Sequence, residues 1–153
     1  MLTITRITDP DHGRWLQLWT AYQVFYEVRL PEAVTAATWG RLQRGEFHAL
    51  GARDNAGVLQ GFVHFLYHGD TWSEVPACYL QDLYVEPALR GTGAGRQLIE
   101  AVAGAAATAG ANPPYWLTHE TNATARRLYD RIGNAPGFVQ YLYGSSTPGG
   151  TPL

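Results

Sequence analysis

The sequence predicts an α/β protein of the α+β kind, with elements in the order β-α-α-β-β-β-α-β-α-β, and three observations predict it. Apolar residues recur at helical spacing through Trp15, Leu18, Trp19, Tyr22, Phe25 and Tyr26, which marks a helix with a wide apolar stripe. The β-prone runs 47–52, 58–67 and 77–85 follow one another with only turn or loop residues between them. Gly91, Gly93 and Gly95 stand where the last of these strands gives way to a long Ala-rich helix.

Each element has its own local signal. Leu2, Ile4 and Ile7, set among Thr3, Thr5 and Arg6, make a first strand with one buried face. Asp9 is a suitable N-cap and Pro10 a suitable first helical residue for the aromatic helix. Pro31 ends that helix, and 31–44 reads as a second one. The strands 47–52 and 58–67 are joined by a turn at Asp54-Asn55-Ala56-Gly57. A polar loop, 68–76, leads into the strand 77–85. After the glycines and the Ala-rich helix come a short strand at Tyr115, a turn, and an amphipathic helix reaching Tyr129. Phe138-Val139-Gln140-Tyr141-Leu142-Tyr143 reads as the last strand, aromatic and uncharged, with no later strand to cover its edge. A symmetric second copy suits such an edge, so a homodimer is expected.

The 153 residues and 46% hydrophobic content fit one domain, 1–144, with 145–153 a Gly-, Pro- and Ser-rich mobile tail. A net charge of −2 argues against nucleic acid, which needs a basic face, and permits a cationic partner. Cys78 has no second cysteine to pair with, and the first residues lack a signal-peptide pattern, so a cytoplasmic setting is expected. The apolar helix near 98–109 is interrupted by Glu100, Gly104 and Thr108 and is too short for a bilayer, so no membrane partner is expected.

The glycines carry the functional signal. Glycine lets backbone N–H groups converge on an oxyanion with no Cβ in the way, and a helix start adds unsatisfied donors and a positive dipole end. The stretch Gly91-Thr92-Gly93-Ala94-Gly95-Arg96 therefore reads as a diphosphate cradle. A Walker A loop is excluded, because it needs a lysine and all eleven basic residues here are arginine. A dinucleotide turn is excluded because the spacing is GxGxG and no carboxylate occurs near Gly110-Ala111-Asn112.

With Arg90 before it and the strand Leu80-Gln81-Asp82-Leu83-Tyr84-Val85 leading in, this loop resembles the acetyl-coenzyme A motif of the GNAT superfamily of N-acetyltransferases. Arg90, Gly93 and Gly95 match its (Gln/Arg)xxGx(Gly/Ala), and Val85, Pro87, Arg90 and Gly91 match the lead-in VxPxxRG. Asn122, Ala125, Leu128 and Tyr129 resemble the family's second cofactor segment, and Gly137-Phe138 the GF that opens its next strand. The wording is similar to the branch that includes the yeast histone and polyamine acetyltransferases, over residues 58–143. The resemblance implies a mixed central sheet flanked by helices, acetyl-CoA as cosubstrate without a metal, and a primary amine on a small molecule, polyamine or peptide as acceptor. Two departures, 130–136 and the lack of a strand beyond Tyr143, fall where such enzymes shape the acceptor site.

Acetyl transfer from a thioester to an amine needs a polarised carbonyl, an amine that loses its proton, and a proton for the leaving thiolate. The resemblance assigns the first to backbone N–H groups near Leu83, Tyr84 and Val85. It gives the last to Tyr129, a protonated donor at neutral pH, whose other reading is a core residue on the stripe of Ala125, Leu128 and Ile132. For the base, Asp82 is notable as an acid inside an apolar strand; the other reading is a carboxylate satisfied by neighbours. Glu120 and Glu74 are further candidates, and Glu120 equally suits a first helical turn capped by Thr118 or Thr121. Asn122 suits both the pantetheine arm and a helix cap. Arg90, Arg96 and Arg126 are candidate cofactor contacts, with Arg96 equally a solvated helix residue. His64 and His68 lie roughly 13 Å apart on a strand, too far to share a metal. Cys78 reads as an inert buried thiol, and the aromatic stripe of the first helix as core before amine pocket.

Overall fold

The computed structural model describes residues 2–144. Five strands, β1 (Thr3–Arg6), β2 (His48–Arg53), β3 (Leu59–His68), β4 (Ala77–Val85) and β5 (Pro114–Tyr115), form one sheet in sequence order. The first four pair antiparallel and β5 joins β4 in parallel, so the sheet is mixed. The helices are α1 (His12–Phe25), α2 (Glu32–Gln43), α3 (Ala94–Thr108) and α4 (Ala123–Ile132). The chain falls into two compact units, Met1–Trp116 and Leu117–Leu153.

In the first unit, α1 packs against β3 through Trp15, Leu18, Trp19 and Tyr22, all buried. These residues cluster with Ile7, Leu42, Leu59, Phe62 and Tyr84. Each such side chain contributes roughly 1.5–3 kcal/mol on leaving water. The core reading of the stripe therefore holds for Trp15, Trp19 and Tyr22, whereas Phe25 stays half exposed. The helix α3 packs against β2, β3 and β4 and buries Leu98, Ile99, Val102 and Ala106.

One irregularity decides which way the functional residues point. His64 pairs with Asp82 and Phe65 with Leu80, so Gln81 is an extra residue on β4, a β-bulge. Paired residues share a face. Asp82 and Tyr84 thus join His64 and Phe62 on the face that α1 covers, whereas Leu80 and Cys78 join Phe65 and Tyr67 on the other. Plain alternation would have put Leu80 and Asp82 together.

In the second unit the described elements are α4 and its approaches. None of the α4 residues is buried. The strand expected at 138–143 is not formed: no residue there is extended in a ladder, and Phe138, Tyr141 and Tyr143 are 85%, 89% and 109% exposed. High β-propensity does not make a strand without a partner for its backbone. The expected tail, 145–153, lies outside the described residues.

Candidate active site

The glycine loop forms a turn that opens into the start of α3. Pro87–Leu89 make one turn of 3-10 helix after β4, and Thr92 closes on it, its N–H and hydroxyl donating to the Leu89 carbonyl at 3.3 and 2.7 Å. Gly91 (φ +81) and Gly93 (φ +91) are left-handed, a conformation an L side chain resists. A Cβ on Gly91 would meet nothing within 4 Å, so the space there is open. Gly93 is also the N-cap of α3, with no capping side chain and no acidic residue in the first turn. Gln97 is the first residue to bond back, to Gly93 at 3.0 Å, which leaves the Ala94, Gly95 and Arg96 N–H groups as the orphan donors of the helix start. With the dipole behind them they fit a diphosphate.

The flanking arginines are differently employed. The Arg90 guanidinium lies 5.8 Å above Tyr84 and 5.4 Å above Phe25, and its Nε donates to the Val85 carbonyl at 3.3 Å. Arg96 pairs with Glu100 at 2.7 Å on the exposed face of α3, the solvated-helix reading.

The edge of β4 supplies backbone donors. Glu86 gives its N–H to Gln60 of β3 at 2.9 Å. Donors alternate in direction along a strand, so Tyr84 also faces β3, whereas Leu83 and Val85 turn theirs to the opposite edge. There β5 covers only Cys78 and Tyr79. Of the three positions, Leu83 and Val85 are thus the ones whose N–H groups are directed away from β3.

Asp82 is 8% exposed and held on both oxygens. The Tyr22 hydroxyl donates to Oδ1 at 2.8 Å, and Nδ1 of His64 lies 2.9 Å from Oδ2. On its far side, Nε2 of His64 accepts the indole N–H of Trp15 at 3.0 Å. The Asp82 charge, after burial, helps to hold the Tyr26 hydroxyl above the ordinary tyrosine value. Sequence reading missed Tyr22, His64 and Trp15 as neighbours of Asp82. The available signal was an ionisable residue, His64 and Asp82, inside each of two successive apolar strands. Cys78 is fully buried, and that burial pushes its thiol up to about 11.

The second unit gathers the remaining residues around the start of α4. Asn122 caps the helix: its Oδ1 accepts the Ala125 N–H at 3.4 Å and its Nδ2 donates to the Thr118 hydroxyl at 3.3 Å. The cap is therefore neither Thr118 nor Thr121, the latter bonding to His119 at 2.7 Å. Arg126 donates to the Glu120 carbonyl at 2.9 Å, while Glu120 itself is exposed. Tyr129 is half-buried on the stripe shared with Ala125, Leu128 and Ile132.

Comparison with known proteins agrees with this architecture. The family model described as Acetyltransferase (GNAT) family matches residues 14–133. The chain is 32% identical over 143 residues to D-amino-acid N-acetyltransferase HPA3 of Saccharomyces cerevisiae, covering 92% of this chain and 89% of that protein. Among solved structures it resembles a ribosomal-protein-alanine N-acetyltransferase from Brucella melitensis biovar Abortus 2308, at TM-score 0.75 and 25% identity over 95% of this chain and 100% of that one. It shares its fold with AAC(6')-Iy in complex with a bisubstrate analog, at TM-score 0.81 and 17% identity over 96% and 99% of the two chains. The glycine turn, the bulged strand and these matches together place the chain in the GNAT acetyltransferase family, as an acetyl-CoA-dependent N-acetyltransferase.

Proposed function

We propose that this chain transfers the acetyl group of acetyl-CoA directly to a primary amine on a small molecule, a polyamine or a peptide. The uncapped start of α3 behind two left-handed glycines carries the reading, because it suits the cosubstrate's diphosphate and no acidic residue stands in the first turn of α3. Acetyl-CoA, when bound, supplies the activated thioester carbonyl. The N–H groups of Leu83 and Val85 polarise that carbonyl, since they point to the edge of β4 that β5 leaves open. Asp82 takes the proton of the ammonium, its side chain oriented by Tyr22 and His64. The Tyr129 hydroxyl returns a proton to the thiolate, and Asn122 and Arg126 bind the cosubstrate from the start of α4.

The names of related proteins widen the acceptor panel: D-amino acids for the yeast relative, a ribosomal protein alanine for the Brucella one. Free-thiol release from acetyl-CoA, measured across D- and L-amino acids, polyamines, aminoglycosides and lysine peptides, tests the reading. Amine-dependent release with at least one class is expected; none across the panel would overturn direct transfer to a primary amine.

We further propose that the protein works as a homodimer in the cytoplasm. The exposed apolar run from Phe138 to Tyr143 supports a symmetric contact, and the lone Cys78 suits a reducing compartment. Light scattering at micromolar concentration should give twice the monomer mass; a monomer with and without acetyl-CoA would refute the dimer.

A further inference from the structure

A recess lies against β1, β2 and β3, with part of its wall on the α3 face of the sheet. It has a volume of about 190 Å³ and is walled by apolar side chains that include Leu42, Phe47, Leu50 and Phe65, with Ala105 of α3 among the lining residues. A dry cavity of about 150 Å³ holds a benzene, so one ring or branched alkyl group fits here. Three polar side chains also line it, those of Arg6, His48 and Tyr67. The His48 ring lies 5.2 Å from those of both Phe65 and Tyr67. Among the described residues, none of the three polar groups makes a side-chain hydrogen bond or ion pair, and no carboxylate lines the recess.

An apolar chamber edged by the exposed Arg6, with no carboxylate beside it, and by two hydrogen-bonding groups selects a particular chemistry. We propose that this recess binds a small amphipathic carboxylate, an acid bearing one aromatic ring or branched alkyl group, with its carboxylate on Arg6. Burial, and then the nearby Arg6 charge, hold His48 below the ordinary histidine value, so near neutral pH it meets the ligand as an uncharged partner. The wall made by Phe65 and Tyr67 is separate from the chemistry, whereas Ile7 and Leu42 at the other wall belong to the cluster beneath α1. Phe65 and Tyr67 share a face with Leu80 and Cys78, whereas Asp82 and Tyr84 lie across the sheet beneath α1.

Titration calorimetry of the intact protein with phenylacetate and 4-methylpentanoate, against neutral phenylacetamide, tests the assignment. The two acids should bind at least about tenfold more tightly than the amide, and Arg6→Gln should erase that preference. Ala105→Leu narrows the chamber and should weaken both acids, while Leu42→Phe does the same from another wall. Thermal unfolding reports that each variant is folded. Binding should persist in protein saturated with CoA, because acids entering the catalytic cleft would be displaced there. No binding at millimolar concentration, equal binding of the amide, loss on CoA saturation, or unchanged acid affinity in folded Arg6→Gln would each overturn the proposal.

Discussion

Trp15 donates its indole N–H to Nε2 of His64 at 3.0 Å, and this one contact decides where the imidazole carries its proton. An indole can only donate, so Nε2 must be the bare nitrogen and Nδ1 must hold the hydrogen that faces Asp82 at 2.9 Å. A second proton on Nε2 would set N–H against N–H. The chain of Trp15, His64 and Asp82 thus keeps a neutral donor on a buried carboxylate, whose other oxygen takes the Tyr22 hydroxyl.

From this follows an expectation for Asp82→Asn. If the carboxylate accepts the amine's proton, turnover at saturating amine falls by about 10²- to 10⁴-fold while acetyl-CoA affinity holds. Trp15→Phe leaves Nε2 without its donor in a dry setting, at a cost of about 1–3 kcal/mol in urea unfolding besides lost packing. Full turnover in a folded Asp82→Asn protein would leave the carboxylate with a structural duty alone.

Gly93→Val tests the anion turn. Valine resists φ +91, and its side chain would rise beside the helix donors, so acetyl-CoA affinity should drop by at least about tenfold. Nothing but Gln97 Nε2, at 3.9 Å, lies within reach of a Cβ there, so the unit should stay folded by circular dichroism. Unchanged affinity by calorimetry in the folded variant would remove the diphosphate from this loop.

Tyr129→Phe separates chemistry from packing, since the ring stays and only the hydroxyl goes. Expected is a loss of turnover of about 10²- to 10⁴-fold with little change in acetyl-CoA affinity, provided the chemical step limits the rate. Wild-type turnover would make Tyr129 a packing residue of α4.

Cys78 gives an alkaline signature. Burial raises its thiol from 9.0 to about 11, so between those values the folded chain keeps a proton that the unfolded chain releases. The stabilisation is complete below pH 9 and is lost as pH climbs towards 11. The fall in thermal midpoint over that window should be shallower in Cys78→Ala, and iodoacetamide should label the native thiol slowly at pH 8. Rapid labelling of native protein would contradict the buried thiol.

Much of this was legible because the relevant signals are local. The strand Ala77–Val85 lies where its β-prone residues put it, and the glycine turn that opens a helix was readable from spacing alone. The environment of Asp82 was not legible, since Tyr22 and His64 approach it from distant sequence and only pairing brings them near. The bulge at Gln81 is hidden by its own alternation: Leu80, Asp82 and Tyr84 look like one face because nothing local marks the extra residue. The run from Phe138 to Tyr143 misled for the opposite reason, having every local mark of a strand and no ladder to join.

The extra residue in β4 gives one strand two separate jobs. Before Gln81, Cys78 and Leu80 face the packing beneath α3, and after it Asp82 and Tyr84 face the reacting groups under α1. A library built to change the acceptor should therefore vary the half-buried Tyr26 and leave Cys78 and Leu80 alone. Deleting Gln81 would take out only the extra residue: Leu80 would stay opposite Phe65 and Asp82 opposite His64, now as neighbours in a plain alternating ladder.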